Sequence, residues 1–295
     1  MCLLNIPNDK ESKFFHINSA NRTVIGNKMS EFVQQKIIEI SFKDKSENSL
    51  VFNYSLKAQK MDGTATIHKW TSDMDNLQAN LLLVTDLEGN FKDILDFENL
   101  YSKWKSGYKE TLKFKYADFQ PGLDIMLEET TKMLRNKEQF VNNFVGYSSW
   151  RFFFQSWYKK HEIEEKNSLI LNGYFGKIDL PLYTSSNYFT SENGISVERR
   201  GELDKEKFDR KGFARMLKDL THVYNIDASL KVDMEEKYEM GKDGYLQEAE
   251  LFLDTSVTNW YSVATAHQLK RLNSEEFLSF IEQIRDKENK IIASE

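Results

Sequence analysis

Apolar and polar residues first fall into step at Ile38, Ile40 and Phe42, which alternate with Glu39, Ser41 and Lys43. After the turn Lys45-Ser46-Glu47-Asn48, the series Leu50, Phe52, Tyr54, Leu56 and Ala58 repeats the pattern. A period of two over this length marks strands buried on one face and wet on the other. Asp62-Gly63 predicts a hairpin turn into a strand over about 64–70. A further strand, Leu77–Leu87, ends at Glu88-Gly89-Asn90.

The spacing then changes to threes and fours. Asp96 is placed to cap a helix carrying Leu100, Tyr101 and Trp104, with Gly107 as its stop. Pro121-Gly122 opens a second, whose stripe is Leu123, Met126, Leu127, Thr130 and Leu134. The third prediction is a central aromatic helix over about 137–160. Phe140, Phe144, Tyr147, Trp150, Phe154 and Trp157 follow one another at steps of four, three, three, four and three. Phe153 and Tyr158 widen this stripe, Phe152 falls on the opposite side, and Gly146 is read as a bend.

Period two returns in Leu169–Ile178, Leu182–Phe189 and Gly194–Leu203. Asp204 is read as the cap of a short helix to about Leu220. A long hairpin turns at Gly241-Lys242-Asp243-Gly244, with Ala228, Leu230, Val232 and Met234 alternating on its first arm and Leu246–Val257 forming the second. A last strand runs Trp260–Leu272. Asn273 and Glu276 then form a capping box ahead of Phe277, Phe280, Ile281 and Ile284.

Strands joined by tight turns pair antiparallel. The expected class is α+β: a large curved antiparallel sheet of about 8–10 strands with helices packed on one face. The expected organisation is a loose N-terminal arm at 1–30, one domain at 31–272 with two similar halves (31–165 and 166–272), and a C-terminal helix and tail at 273–295.

Composition narrows the chemistry. The chain has 295 residues, 40% of them hydrophobic and 13% aromatic, enough for a real core. A net charge of −6 and a pI of about 5.6 argue against non-specific nucleic-acid binding, which needs a basic field. The single cysteine, Cys2, excludes an intrachain disulfide and Cys-based zinc sites and reads as an inert thiol. No membrane-spanning helix is expected, and a cytoplasmic location is the default, a mature exported form being the other option.

No Gly-rich phosphate loop, H-E-x-x-H or Gly-x-Ser-x-Gly occurs. His16, His68, His161, His222 and His267 are isolated from one another in sequence. Asp73 and Asp75 read as a polar loop, Asp86 and Glu88 as turn chemistry without the ligand series of a calcium loop, and Glu128 and Glu129 as solvated partners of Lys132. No catalytic residue, metal or cofactor is therefore expected, and the role points to binding rather than catalysis.

The candidate site lies between Tyr147 and Tyr158, where seven aromatic residues occupy twelve positions. Rings are the largest single burial terms a side chain offers. Their helical spacing fits a core helix; a groove lined by Tyr147, Trp150, Phe152, Phe154, Trp157 and Tyr158 is the functional alternative. The leading functional expectation is a protein-interaction module, an adaptor or neutralising partner, using a sheet face or edge and suited by its acidity to a basic protein. The second is a carrier of an apolar, lipid-like ligand between sheet and aromatic helix. The third is a hydrolase assembled from distant segments.

Overall fold

A computed structural model describes residues 3–63, 65–120 and 122–292. Cys2 and Pro121 lie outside them. The α+β class holds: eleven antiparallel strands form one open sheet, with helices packed against it.

The chain runs outward through β1 (Lys13–Ile25), β2 (Lys28–Lys45), β3 (Leu50–Asp62), β4 (Asn80–Thr85) and β5 (Phe91–Ile94). It re-enters at the other edge with β6 (Glu164–Leu171). It then returns through β7 (Leu180–Ser191), β8 (Gly194–Leu203), β9 (Lys231–Gly241), β10 (Leu246–Val257) and β11 (Tyr261–Leu272). β11 pairs with β1, so two meanders meet at the centre in the order β5-β4-β3-β2-β1-β11-β10-β9-β8-β7-β6. Register at the seam sets Ile17 opposite Leu269 and Ser19 opposite His267. The register of β2 against β3 shifts at Ile37/Ile38 and at Phe42/Asp44. Such bulges sharpen strand bending and help curl the sheet.

One face of the sheet carries the main core: Phe15 and Ile17 from β1, Ile38 and Ile40 from β2, Phe52 and Tyr54 from β3, and Val197, Tyr238, Leu251 and Leu269 from β8–β11. Against its first half lie α1 (Thr66–Leu77), α2 (Phe97–Lys103), α3 (Lys109–Lys115), α4 (Gly122–Arg135) and α5 (Lys137–Phe144). Over its second half lies α6 (Arg210–Thr221), whose Phe213 and Leu217 are fully buried with Leu180, Leu182 and Met234. The C-terminal α7 (Ser274–Ile292) takes the other face, so the helices do not all share one side. Phe277 stacks on Phe14 at 4.1 Å and Phe280 on His16 at 4.5 Å. The expected capping box is present: Glu276 N donates to Asn273 Oδ1 at 2.9 Å, and Asn273 N to Glu276 Oε2 at 3.0 Å.

Several expectations are corrected. The 1–30 arm contains β1, which pairs with the central strand β11, because the apolar parity of Phe15 and Ile17 is buried in the sheet. The strand expected over 64–70 is α1: Trp70, Asp73 and Leu77 fall on one helical stripe, which the fold buries. Asp73 and Asp75 therefore sit in a helix, where Asp73 accepts from Lys115 and Tyr116 and Asp75 pairs with Lys36 at 2.8 Å. Gly107 kinks a continuous helical run at a π-helical turn, Trp104–Tyr108, instead of stopping it. Asp209, not Asp204, caps α6, accepting from Gly212 N at 2.9 Å.

The largest correction concerns the aromatic helix. It ends at Phe144, and a 3₁₀ turn, Ser149–Phe152, is the regular piece that follows before β6. Gly146, just past the last turn, takes φ of +43°, the left-handed conformation that terminates helices at low cost for glycine. Ser148 Oγ then accepts from Trp150 N at 3.3 Å and starts the 3₁₀ turn. Periodicity of side chains does not sense a backbone stop of this kind.

Candidate functional site

Residues 145–163 form an irregular strap across the core face. Its rings go largely to the β1–β5 half. Trp150 packs on Tyr54 at 4.6 Å, Phe153 on Phe15 at 5.4 Å and Phe154 on Phe91 at 5.0 Å. Trp157 meets Tyr238 of β9 edge-on at 4.7 Å, and its Nε1 donates to Phe152 O at 3.1 Å. Tyr158 ties the strap to two hairpins: its N donates to Glu88 O at 2.9 Å and its OH to Gly244 O at 3.2 Å. Gly89, at φ of +100°, lets the β4–β5 turn approach so closely that a Cβ there would stand 2.7 Å from Gln155 O.

The six residues singled out in sequence divide. Phe154, Trp157 and Tyr158 line a small apolar void of about 30 Å³ with Ile40, Phe52, Leu83 and Met240. Trp150 stacks beside Phe154 with ring centres 6.1 Å apart. Phe152 is not on an exposed off-face; it is fully buried, edge-on to His267 at 6.4 Å. Tyr147 lies between the two core clusters, also 6.4 Å from His267.

The strap's polar residues turn the other way. Arg151 Nε donates to Glu236 Oε1 at 2.6 Å, and Arg199 Nη1 to Glu236 Oε2 at 2.9 Å. Tyr238 OH donates to the same Oε2 at 2.9 Å, while Gln155 Nε2 donates to Tyr238 OH at 2.6 Å. Gln155 Oε1 accepts from Arg199 Nη1, and Ser186 Oγ accepts from Arg199 Nε at 2.8 Å. Burial pushes the Glu236 carboxyl up, but the guanidinium groups of Arg151 and Arg199 outweigh it and hold it below the usual carboxylate range.

Beside this network opens a polar pocket of about 370 Å³, walled by Arg151, Gln155, Lys159, His161, Glu165 and Arg199. Phe154 and Trp157 line both this pocket and the apolar void. His161 stacks on Tyr188 at 4.2 Å, and its Nδ1 lies 3.1 Å from Glu165 Oε1. Burial lowers the His161 pKa against the pull of Glu165. This pair has the form of an oriented base, but among the described residues no hydroxyl bonds its Nε2. Nor do three metal-ligating groups converge among the described residues.

None of the polar residues of the network was found in sequence, although a signal existed. Glu236 continues the buried parity of Met234, Tyr238 and Met240, and Arg199 that of Ile195 and Val197. Charges on the buried side of a strand need a partner. Of the other histidines, His267 Nδ1 is 2.8 Å from Ser19 Oγ, and His222 ends α6 at φ of +57°. Asp86 holds its turn as expected, its Oδ1 accepting from Glu88 N and Asn90 N.

No family model and no curated protein matches the chain. Among solved structures it overlaps one described as "Lipid-protein interactions in lipovitellin" at a TM-score of 0.46 and 12% identity, over 90% of this chain and 25% of that one. The chain thus spans about a quarter of that structure's length. A second, "Asymmetric conductivity of engineered proteins", overlaps at a TM-score of 0.25 and 8% identity, over 89% of this chain and all of that one. Neither overlap is close enough to imply a common function. No helix among the described residues is long and apolar enough to cross a membrane.

Proposed function

We propose that the protein is a non-enzymatic carrier of an apolar, lipid-like ligand, taken up on the core face of the sheet beneath the strap. The observation that carries this reading is that the groove is filled by an irregular segment and not by a helix or strand. Up to about residue 160 the strap belongs to no sheet ladder; at its end His161 forms a β-bridge and Ile163 O accepts from Tyr188 N of β7 at 2.9 Å. Its main attachments are its rings, the backbone bond to Glu88 and side-chain bonds from Tyr158, Ser156, Gln155 and Arg151. The ring contacts are apolar and non-directional, so a hydrocarbon chain is able to replace them at similar cost.

The void of about 30 Å³ holds one or two water molecules and no chain. A bound ligand therefore displaces strap rings, and Trp150 and Trp157 report it. Saturating long-chain fatty acid or long-chain alcohol should shift and change their emission. Unchanged tryptophan emission with both ligands, together with no retention of either through gel filtration, removes the carrier reading.

A protein-interaction module is the second reading, favoured by the opposite face of the sheet. There β9 and β10 present Asp233, Glu235, Glu239, Glu248, Glu250 and Asp254 against Lys231 and Lys237. Such a face steers a basic partner through charge. This reading expects a stoichiometric complex from native lysate that dissociates with rising salt. A complex indifferent to salt, or none, counts against it.

A further inference from the structure

The polar pocket carries more positive than negative charge. Arg151, Lys159 and Arg199 line it, Glu165 is the carboxylate in its wall, and Glu236 lies behind it. Three cations face two carboxylates, which leaves one positive charge over. Glu236 is already shared by Arg151, Arg199 and Tyr238. Glu165 is shared by Lys159 and His161. Arg151 Nη1 and Arg199 Nη2 have no hydrogen-bond partner among the described residues, and neither is sealed from solvent. Guanidinium N–H groups held rigid by a buried carboxylate and left free on their outer side suit the oxygens of a carboxylate or phosphate.

We infer that this pocket binds the anionic head of an amphiphile, a carboxylate or phosphate group, at Arg199 and Arg151 with Lys159 beside them. The inference rests on the carrier reading. Phe154 and Trp157 stand between the pocket and the void and line both, so displacing these rings joins the two and lets a chain attached to the head run beneath the strap. Acyl chain and anion then fit one continuous site with an apolar and a cationic end.

The test compares a long-chain fatty acid with the alcohol of equal length at pH 8, by tryptophan titration of the full chain. Inorganic phosphate and hexanoate serve as heads without a long chain. Three variants are used: Arg199→Gln, Arg199→Lys and Lys159→Gln. Arg199→Gln leaves Glu236 paired with Arg151, and Lys159, at the pocket wall, is partly exposed, so both variants should fold; a urea midpoint checks each.

The acid should bind at least about tenfold tighter than the alcohol, the scale of one charge-assisted hydrogen bond. Arg199→Gln should abolish most of that preference, Lys159→Gln should reduce it, and Arg199→Lys should restore part. Equal binding of acid and alcohol, unchanged in the variants, overturns the anionic head while the carrier stands. Arg199-dependent binding of phosphate or hexanoate, with neither long-chain ligand bound, overturns the amphiphile and the carrier together and leaves a site for free anions. Binding of none of the probes overturns both readings.

Discussion

The two halves of the core face receive the same strap in different ways. On the β1–β5 side, Trp150, Phe153 and Phe154 meet Tyr54, Phe15 and Phe91 through ring contacts alone. On the β7–β9 side, Arg151 and Gln155 enter a network with Glu236, Tyr238, Arg199 and Ser186 in which nearly every contact is directional. Ring contacts contribute area, roughly 1.5–3 kcal/mol for each buried ring, and tolerate sliding. A buried ion network contributes little net stability but fixes one geometry, since each unpartnered charge would be costly. The strap is thus held in register mainly from the polar side, while the apolar side adds bulk and two directional ties to the β4–β5 turn, Tyr158 N to Glu88 O and Ser156 Oγ to Asn90 Oδ1. Rings and polar anchors interleave from Trp150 to Gln155, so the polar side is the pivot about which the rings pack.

The largest expected effect comes from the polar side. Glu236→Gln leaves the guanidinium groups of Arg151 and Arg199 buried without a carboxylate and should cost about 3–5 kcal/mol in urea unfolding. A loss under 1 kcal/mol would mean that the network is solvated and that the contrast between the two halves is false.

Next is the seam between the two meanders. Burial and the nearby Lys36 lower the pKa of His267 to about 4. The unfolded chain takes up a proton below about 6.5 that the folded site refuses. Stability therefore falls as pH drops from about 6.5 toward about 4, by up to ~3 kcal/mol. Burial lowers His16 and His161 in the same direction. Glu236, Glu165 and Asp86 are held low, so their contributions are whole above about 4.5 and are lost as pH falls from there through their folded values. Urea midpoints for wild type and His267→Gln across pH 4.5–7 should show a flatter slope in the variant; parallel slopes would assign the dependence elsewhere.

The smallest effect concerns the strap's tie to the β4–β5 turn. Gly89→Ala forces a side chain into the left-handed region and against Gln155 O, at about 1–3 kcal/mol. Limited proteolysis within 145–163 should accelerate in this variant. Unchanged cleavage would show that the polar pivot alone secures the strap.

Most strands were readable because one wet face and one buried face impose period two, and α4, α7 and the β9–β10 hairpin carried unambiguous caps or turns. Three failures each have a local cause. β1 looked like a loose arm because its polar outer residues, among them His16 and Asn18, dilute a short apolar parity that two neighbouring strands make decisive. α1 looked like a strand because seven residues around Trp70 hold too few apolar positions to separate the two periods. The strap looked like a helix because its rings happened to continue the spacing of Phe140 and Phe144, while Gly146 had already stopped the backbone.

The sequence by itself determined an α+β protein with a large antiparallel sheet, a dense aromatic segment and an acidic net charge, because side-chain period, ring content and net charge are local or summed properties. Only the tertiary structure decided what the aromatic segment does. It brought Arg151 to Glu236, 85 positions away, and set Arg199 beside both. Contacts over such separations depend on how eleven strands are ordered and curled, which no local spacing encodes.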